Sequence, residues 1–247
     1  MRKTVDVMGI PVDSVTIHEA LDRVKTFLST DCVHTIYTPN AEIMMDAVKD
    51  PSLKNILSEA DMLIPDGAGV VLASKILGHP LPEKVPGFDL LKNTFALRLN
   101  KKLRFFFFGG APGVAEEAAI NILGQYHRVE IVGYRNGYFS PEDEAQIIEE
   151  INASNADVLA VALGAPRQEK WIHTNKNKLK VKICIGVGGS FDVLAGKVQL
   201  APDFFRKNNL EWLYRLFKEP WRYKRMLKLP QFILLTIAVR LGLKKLK

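Results

Sequence analysis

The chain has 247 residues, of which 47% are hydrophobic and 25% are charged, a balance that excludes disordered and fibrous proteins. A chain of this length removes roughly 70% of its extended surface from water on folding, so it needs neither disulfides nor a structural metal. Its two cysteines, Cys32 and Cys184, lie in or beside apolar runs, where we expect buried thiols in a reducing, cytoplasmic protein. Asp6 and Asp13 interrupt the apolar segment that a signal peptide would need.

Positive charge is concentrated near the C-terminus. The net charge is +7, yet residues 203–247 contribute +9 and residues 1–202 contribute −2. The same C-terminal segment contains large apolar side chains, among them Trp212, Trp221 and Phe232. Basic residues mixed with tryptophan and phenylalanine are typical of helices that lie in a membrane interface. We therefore expect an anionic membrane surface, and no nucleic acid, as the partner of this segment.

The apolar run from Phe232 to Val239 is too short to span a bilayer, which requires about 20 residues. This predicts peripheral attachment to the inner face of the cell membrane. An alternative is that the C-terminal helices pack on the body with their charges in solvent. In the absence of a membrane, their apolar surface can also pack against a second copy of the chain, which would give a homo-oligomer.

Residues 1–200 alternate between strand and helix patterns. Apolar, β-branched runs predict strands at residues 33–37, 62–64, 103–108, 129–132, 158–163 and 183–187. Helical spacing of apolar residues occurs over 114–126 and 145–151. The alternation predicts an α/β fold, with a Rossmann-like, mainly parallel sheet and helices on both faces.

A boundary is predicted near Ala201-Pro202, where the strand pattern ends. It divides the chain into an α/β body, residues 1–202, and a basic, amphipathic helical appendage, residues 203–247. Within the appendage, Pro220 and Pro230 are each expected to open a new helix, because proline is tolerated in a first turn and disruptive inside a helix.

Two glycine-rich turns follow predicted strands, at the sheet edge where ligands bind in such folds. Gly109 and Gly110 open a helix whose free amides can hold a phosphate. The match to the dinucleotide pattern G-x-G-x-x-G is poor, and many such turns need glycine only for its dihedral angles. The second turn, Gly188-Gly189-Ser190 followed by Asp192, suits a ribose or a base. Alternatively, this segment is only a glycine turn that Ser190 caps.

Polar side chains also follow the first two predicted strands. Asp66 lies between a strand and a helix, where a carboxylate can take a proton from an attacking hydroxyl if it stays ionised at neutral pH. Spacing alone favours the alternative, that Asp66 caps the following helix. Thr38 and Asn40 face the same choice, and Asn40 is a natural cap for a helix beginning at Ala41.

Three arginines of the appendage, Arg215, Arg222 and Arg225, are spaced seven and three residues apart. They can converge on one anion even if Pro220 breaks the helix, because guanidinium groups bind phosphate oxygens bidentately. The spacing of the three arginines is about equally compatible with a basic helix face that lies in solvent or contacts lipid headgroups. Metal-binding patterns such as C-x-x-C, H-E-x-x-H and D-x-D are absent from the sequence, so we expect neither a metal nor a cofactor.

Several segments together resemble the WecG/TagA/CpsF family of bacterial glycosyltransferases over nearly the whole chain. The segments are 38–42 (TPNAE), 60–67 (ADMLIPDG), 85–91 (VPGFDLL), 164–171 (GAPRQEKW), 186–192 (GVGGSFD) and 210–215 (LEWLYR). The resemblance implies an inverting, metal-independent enzyme. It would move N-acetylmannosamine from a UDP-sugar donor to the 4-hydroxyl of N-acetylglucosamine on undecaprenyl diphosphate, in synthesis of the teichoic acid linkage unit.

The resemblance also implies roles for particular residues. Asp66 matches the proposed general base, and Thr38 and Asn40 match its neighbours. Arg215, Arg222 and Arg225 match basic positions of an appendage that closes over the site and stabilises the departing UDP. Weaker matches to donor contacts are Tyr138, Gln168 and Asp192.

Several functions remain as alternatives. Relatives that use another UDP-N-acetyl sugar or a uronate share the same motifs. From the residues alone, the glycine turn after Phe108 suggests a nicotinamide-dependent oxidoreductase, and the +9 appendage suggests a non-enzymatic module that binds a membrane surface.

Overall fold

A computed structural model describes residues 2–244, with the side chain of Arg222 outside the described part. The strands within this range are β1 (Thr4–Val7), β2 (Ile10–Asp13), β3 (His34–Tyr37), β4 (Met62–Leu63), β5 (Leu103–Gly109), β6 (Val129–Arg135), β7 (Val158–Ala162) and β8 (Ile183–Gly186). The helices of the body are α1 (Ile17–Leu28), α2 (Ala41–Lys49), α3 (Pro51–Ser58), α4 (Ala68–Ile76), α5 (Gly87–Phe95), α6 (Val114–Gln125), α7 (Glu144–Ala153), α8 (Arg167–Asn175) and α9 (Ser190–Leu194). Those that follow are α10 (Asp203–Lys207), α11 (Glu211–Lys218), α12 (Tyr223–Met226) and α13 (Lys228–Arg240).

Six strands form one parallel sheet in the order β4-β3-β8-β7-β5-β6. Successive side chains of a strand point to opposite faces, and the sheet accordingly separates two apolar cores. Phe105 and Phe107 belong to one core together with α6, whereas Phe106 and Phe108 belong to the other together with α7. The Rossmann-like α/β fold, with helices on both faces, is confirmed.

An antiparallel hairpin of β1 and β2 precedes the sheet and was not predicted from the sequence. Its two-residue turn places Met8 and Gly9 at φ values of 61° and 79°, the left-handed conformation that such hairpins favour. Asp13 at its end is fully buried and accepts hydrogen bonds from Arg2, Arg23 and the Leu63 amide. These contacts of Asp13, together with the complete burial of Val7, Ile10 and Val12, hold the hairpin against the body.

The two cysteines differ in exposure. Cys184 is buried in β8, as expected, but Cys32 is exposed. The expectation for Cys32 was wrong because β3 begins two residues later, at His34, which leaves Cys32 in the preceding bend.

The last helix of the appendage packs into the core of the body. Phe232 and Thr236 on α13 have no exposed surface, and Phe232 shares its core with residues of α2 and α4. In contrast, α10, α11 and α12 bury none of their residues completely. Pro220 opens a 3₁₀ turn as predicted, and Pro230 lies in the first turn of α13. In packing terms, α13 is therefore part of the body, although it lies beyond Pro202 in sequence.

Within residues 2–244, no helix has both the length and the apolar character that crossing a membrane requires.

The docking of α13 predicts a large difference between two substitutions on this helix. Phe232→Ala should lower the free energy of unfolding by about 3–5 kcal/mol, because it leaves a cavity in the core. Leu234→Ala, at a position with 67% of its surface exposed, should change it by less than about 0.5 kcal/mol. Urea denaturation of both variants checks this. Equal, small effects would contradict the docking of α13 on the body.

Candidate active site

A cavity of about 710 Å³ lies at the carboxyl ends of the six parallel strands. The turn after each strand contributes to its lining: Thr38 and Asn40 after β3, Asp66 after β4, Gly110 after β5, Tyr138 after β6, Gln168 after β7, and Gly188, Gly189, Ser190 and Asp192 after β8. Arg215 of α11 and Arg225 of α12 complete it. The cavity therefore collects residues predicted separately from strand ends and from the appendage.

Backbone groups of the surrounding loops fix the position of Asp66 in the cavity lining. Its amide donates to the Pro39 carbonyl at 3.2 Å, which extends the pairing of β3 and β4 by two residues. The Gly87 amide, at the first residue of α5, donates to the Asp66 carboxylate. The cap of α4 is Gly67, without a side-chain hydrogen bond. The capping role that spacing favoured for Asp66 is therefore wrong.

Competing effects set the ionisation of Asp66. Burial raises the pKa of its carboxyl to about 6, and the nearby Glu211 carboxylate also raises it. Arg215, the Gly87 amide and Lys84 lower the pKa and so limit the shift. The ionised form therefore predominates at pH 7, as a general base requires. The pKa nevertheless lies above the ordinary value of an aspartate.

Thr38 and Asn40 border Asp66 in different ways. Thr38 is buried, and its hydroxyl lies 3.4 Å from the Gly186 carbonyl, to which it donates. A side chain at Gly87 would collide with Thr38, so glycine is required there. Asn40 caps α2 as predicted, because its Oδ1 accepts from the amides of Glu42 and Ile43 at 3.0 and 3.1 Å. Asn40 thus combines the capping role with a position on the cavity wall.

The glycine turn after β5 has fewer free backbone amides for binding a phosphate than the sequence predicted. The Gly110 amide donates to the Ala162 carbonyl at 2.9 Å and is not free. Gly109 does not line the cavity; a Cβ on it would overlap the Ala162 backbone. Both glycines have positive φ values, so close strand packing and backbone geometry account for them. This is a correction to the expectation of free amides at Gly110.

The turn after β8 is fixed by a buried side chain. Gln168 accepts at Oε1 from the Gly188 amide at 3.0 Å and donates from Nε2 to the Glu169 carboxyl at 2.9 Å. Burial raises the pKa of Glu169. The Ser190 hydroxyl donates to the Val187 carbonyl at 2.6 Å, and the residue that caps α9 is Gly189. Gln168 and Ser190 therefore hold the shape of the turn, while Asp192 lies on the cavity wall.

Four of the arginines whose side chains are described line the cavity, and their contacts differ. Arg206 contacts Asp89 at 3.0 and 3.1 Å, and Arg225 contacts Glu42 at 2.7 Å. Arg167 lies over the Phe139 ring, 4.7 Å from its centroid. Within residues 2–244, the guanidinium of Arg215 has no hydrogen bond or ion pair, so its positive charge acts on the cavity and on Asp66. Arg222, the third predicted arginine, has its side chain outside the described part.

Two of these arginines, Arg167 and Arg206, were not singled out from the sequence. Arg167 stands in the segment GAPRQEKW, at the first residue of α8, and its place directly after a strand end was the available signal. Arg206 has no such signal, because its place depends on how α10 lies against α5.

The appendage contacts the body directly beside Asp66. Lys84 of the loop before α5 forms an ion pair of 2.8 Å with Glu211 of α11. Glu211 lies one helical turn before Arg215, so the same pair places the Arg215 charge near Asp66. Sequence spacing missed both Lys84 and Glu211, which are 127 residues apart.

Among residues 2–244, no group of three or more His, Cys, Asp or Glu side chains is arranged to hold a metal ion.

The raised pKa of Asp66 predicts a pH-dependent gain in stability for Asp66→Asn. The folded pKa lies above the unfolded value of about 3.9, so ionisation destabilises the fold above pH 6 and has little effect below pH 4. The variant should be more stable than the natural chain by about 1–3 kcal/mol at pH 8, with most of the difference lost at pH 4. Urea denaturation at both values measures it. A destabilised variant at pH 8 would contradict the burial of this charge.

Comparison with known proteins places the chain in a family. The model of the glycosyl transferase WecG/TagA/CpsF family matches residues 5–246. The N-acetylglucosaminyldiphosphoundecaprenol N-acetyl-beta-D-mannosaminyltransferase of Bacillus spizizenii W23 is 39% identical over 84% of this chain and 80% of its own length. Proteins of that name from Bacillus subtilis 168 and Staphylococcus aureus MRSA252 are 34% and 31% identical, over 95% and 98% of this chain and 91% and 96% of theirs. The chain is a glycosyltransferase and belongs to the WecG/TagA/CpsF family.

Proposed function

We propose that this glycosyltransferase moves N-acetylmannosamine from a UDP-sugar to the 4-hydroxyl of N-acetylglucosamine on undecaprenyl diphosphate, the linkage-unit step of wall teichoic acid synthesis. The names of the relatives support the acceptor and the sugar. The observation that carries the proposal is one cavity holding both a half-buried carboxylate with a raised pKa, Asp66, and the unpaired guanidinium of Arg215. A base for the acceptor and a cation for the leaving group are what the reaction requires.

The proposed reaction is a single displacement. Asp66 takes the proton of the acceptor hydroxyl while that oxygen forms a bond to the anomeric carbon of the donor. The bond from that carbon to the diphosphate oxygen breaks, and UDP leaves with the electron pair. Attack opposite the leaving group inverts the configuration, which converts an α-linked donor to a β-linked product. The β configuration in the relatives' names supports inversion.

Arginines stabilise the developing charge on UDP in this proposal. Fixed cations in a preorganised site contribute to catalysis where negative charge develops. Arg215 and Arg225 line the cavity, and Arg222 stays a prediction for the same role. These cations support a metal-independent reaction. Within the cavity, Asn40, Tyr138, Gln168 and Asp192 stay the proposed substrate contacts.

The appendage is proposed to complete the active site at the membrane. Arg215 and Arg225 belong to its helices and line the cavity. The appendage also exposes Phe204, Phe217 and Trp221, each with more than 60% of its surface accessible. These side chains support peripheral binding to the anionic inner face of the cell membrane, where a polyprenyl-linked acceptor resides. Association with a second copy through this surface stays a prediction.

The main alternative within the family is a different donor, another UDP-N-acetyl sugar or a UDP-uronate. The cavity wall contains both the free cation Arg215 and the carboxylates Asp89 and Asp192. Comparing donors under identical conditions therefore decides between neutral and anionic sugars. The nicotinamide oxidoreductase and the non-enzymatic module have no support from the family assignment.

Release of UDP tests the proposal. UDP-N-acetylmannosamine with a lipid-diphosphate N-acetylglucosamine acceptor should give acceptor-dependent UDP, and Asp66→Asn should reduce the rate by about 10²- to 10⁴-fold. For the natural chain, kcat/KM should fall about tenfold per pH unit below pH 6, because Asp66 becomes protonated. An Asp66→Asn variant with the natural rate would remove Asp66 as the base.

Chelation provides a separate check on the role of the arginines. EDTA should leave the initial rate of UDP release unchanged, because the arginines supply the positive charge at the diphosphate. A rate abolished by EDTA and restored by Mg²⁺ would contradict the metal-independent part of the proposal.

A further inference from the structure

Glu42 is a charged residue of the cavity wall that the proposed reaction does not use. It lies in the first turn of α2, two residues after the capping residue Asn40, and 22% of its side chain is exposed. Its Oε1 accepts from Nε of Arg225 at 2.7 Å. This contact joins the body to α12 across the rim of the cavity.

The geometry of the contact leaves most of the Arg225 guanidinium available. A guanidinium carries five N–H groups, one on Nε and four on the terminal nitrogens. Glu42 engages Nε, and among the described residues the terminal nitrogens of Arg225 have no hydrogen bond or ion pair. Half of the Arg225 side chain is exposed. The four remaining N–H groups can thus form the paired contacts to phosphate oxygens that arginine favours.

A second ion pair on α2 anchors the same part of the appendage independently of Glu42. Lys228 contacts both carboxylate oxygens of Asp46 at 2.7 and 2.8 Å, whereas its distance to Glu42 is 3.8 Å. Asp46 lies one turn after Glu42 on α2 and does not line the cavity. The start of α13 is therefore held by Asp46, and the main contact of Glu42 is with Arg225.

We propose that Glu42 is a positioning residue for Arg225, which fixes the guanidinium through Nε and leaves its terminal nitrogens for the diphosphate of the donor. The role of the diphosphate rests on the proposed function. Without Glu42, the exposed arginine side chain samples many rotamers, and binding must then restrict them. Loss of Glu42 should consequently weaken diphosphate binding only when Arg225 is present.

A double-mutant cycle tests this dependence with UDP affinity, from calorimetry, and kcat/KM for UDP release as readouts. Glu42→Ala should lower both by about fivefold in the natural chain and by less than twofold in the Arg225→Ala background, since coupled residues are non-additive. Glu42→Gln retains an acceptor for Nε–H and should recover most of the loss. Asp46→Ala, the matched control on the same helix, should change both by less than twofold.

The outcomes separate this role from the proposed function. Equal losses from Glu42→Ala in the two backgrounds, or no loss in either, would overturn the positioning role, because a structural contribution of Glu42 to α2 does not depend on Arg225. A natural chain that binds UDP and gives an additive cycle contradicts the inference alone. A natural chain that neither binds nor releases UDP contradicts the proposed function, and with it this role.

Discussion

A half-buried carboxylate at the carboxyl edge of the sheet is the constraint on which the site depends. Burial disfavours the charge on Asp66, and the carboxyl stays ionised at neutral pH through the Gly87 amide, Arg215 and Lys84. These groups come from the start of α5, the loop before it and α11. Arg215 and Glu211 of α11 act on this pKa in opposite directions, so the appendage contributes to setting it.

The appendage itself is attached by two kinds of interaction. Apolar burial of Phe232 fixes α13 to the body, whereas ion pairs connect α10, α11 and α12 to the cavity rim through Asp89, Glu211 and Glu42. Partly exposed ion pairs contribute little to stability. The segment carrying the arginines is thus the part of the site most easily displaced, while the helix after it is firmly held. Such an arrangement suits a site that admits a large lipid-linked substrate.

The sequence was sufficient for the sheet and for much of the cavity. All six parallel strands were predicted, because buried strands are continuously apolar and glycine-rich turns mark their ends. The position of a turn at the carboxyl end of a strand was enough to bring Thr38, Asp66 and Gln168 to one cavity. The hairpin of β1 and β2 was missed because its strands have only four residues each, and because Asp13 at its end accepts from the Leu63 amide, 50 residues away.

The sequence did not indicate which distant residues each group of the site contacts. Whether the Gly110 amide is free depends on the neighbouring strand β7, whose Ala162 carbonyl accepts from it. Whether Asp66 caps a helix or faces a cavity depends on Gly87 and Arg215, which lie 21 and 149 residues away. The spacing of Arg215 and Arg225 indicated a shared target, but not that Glu42 already engages one of them. Contacts between distant segments set these properties.

Arg215 of the appendage lowers the pKa of the half-buried Asp66 carboxyl and so favours its ionised form. Titration of the Asp66 carboxyl by ¹³C NMR, assigned by comparison with Asp66→Asn, measures it directly. We expect a pKa of about 6 in the natural chain and a clearly higher pKa in Arg215→Gln. An ordinary pKa near 4 in both proteins would contradict the burial of the carboxylate and its dependence on the appendage.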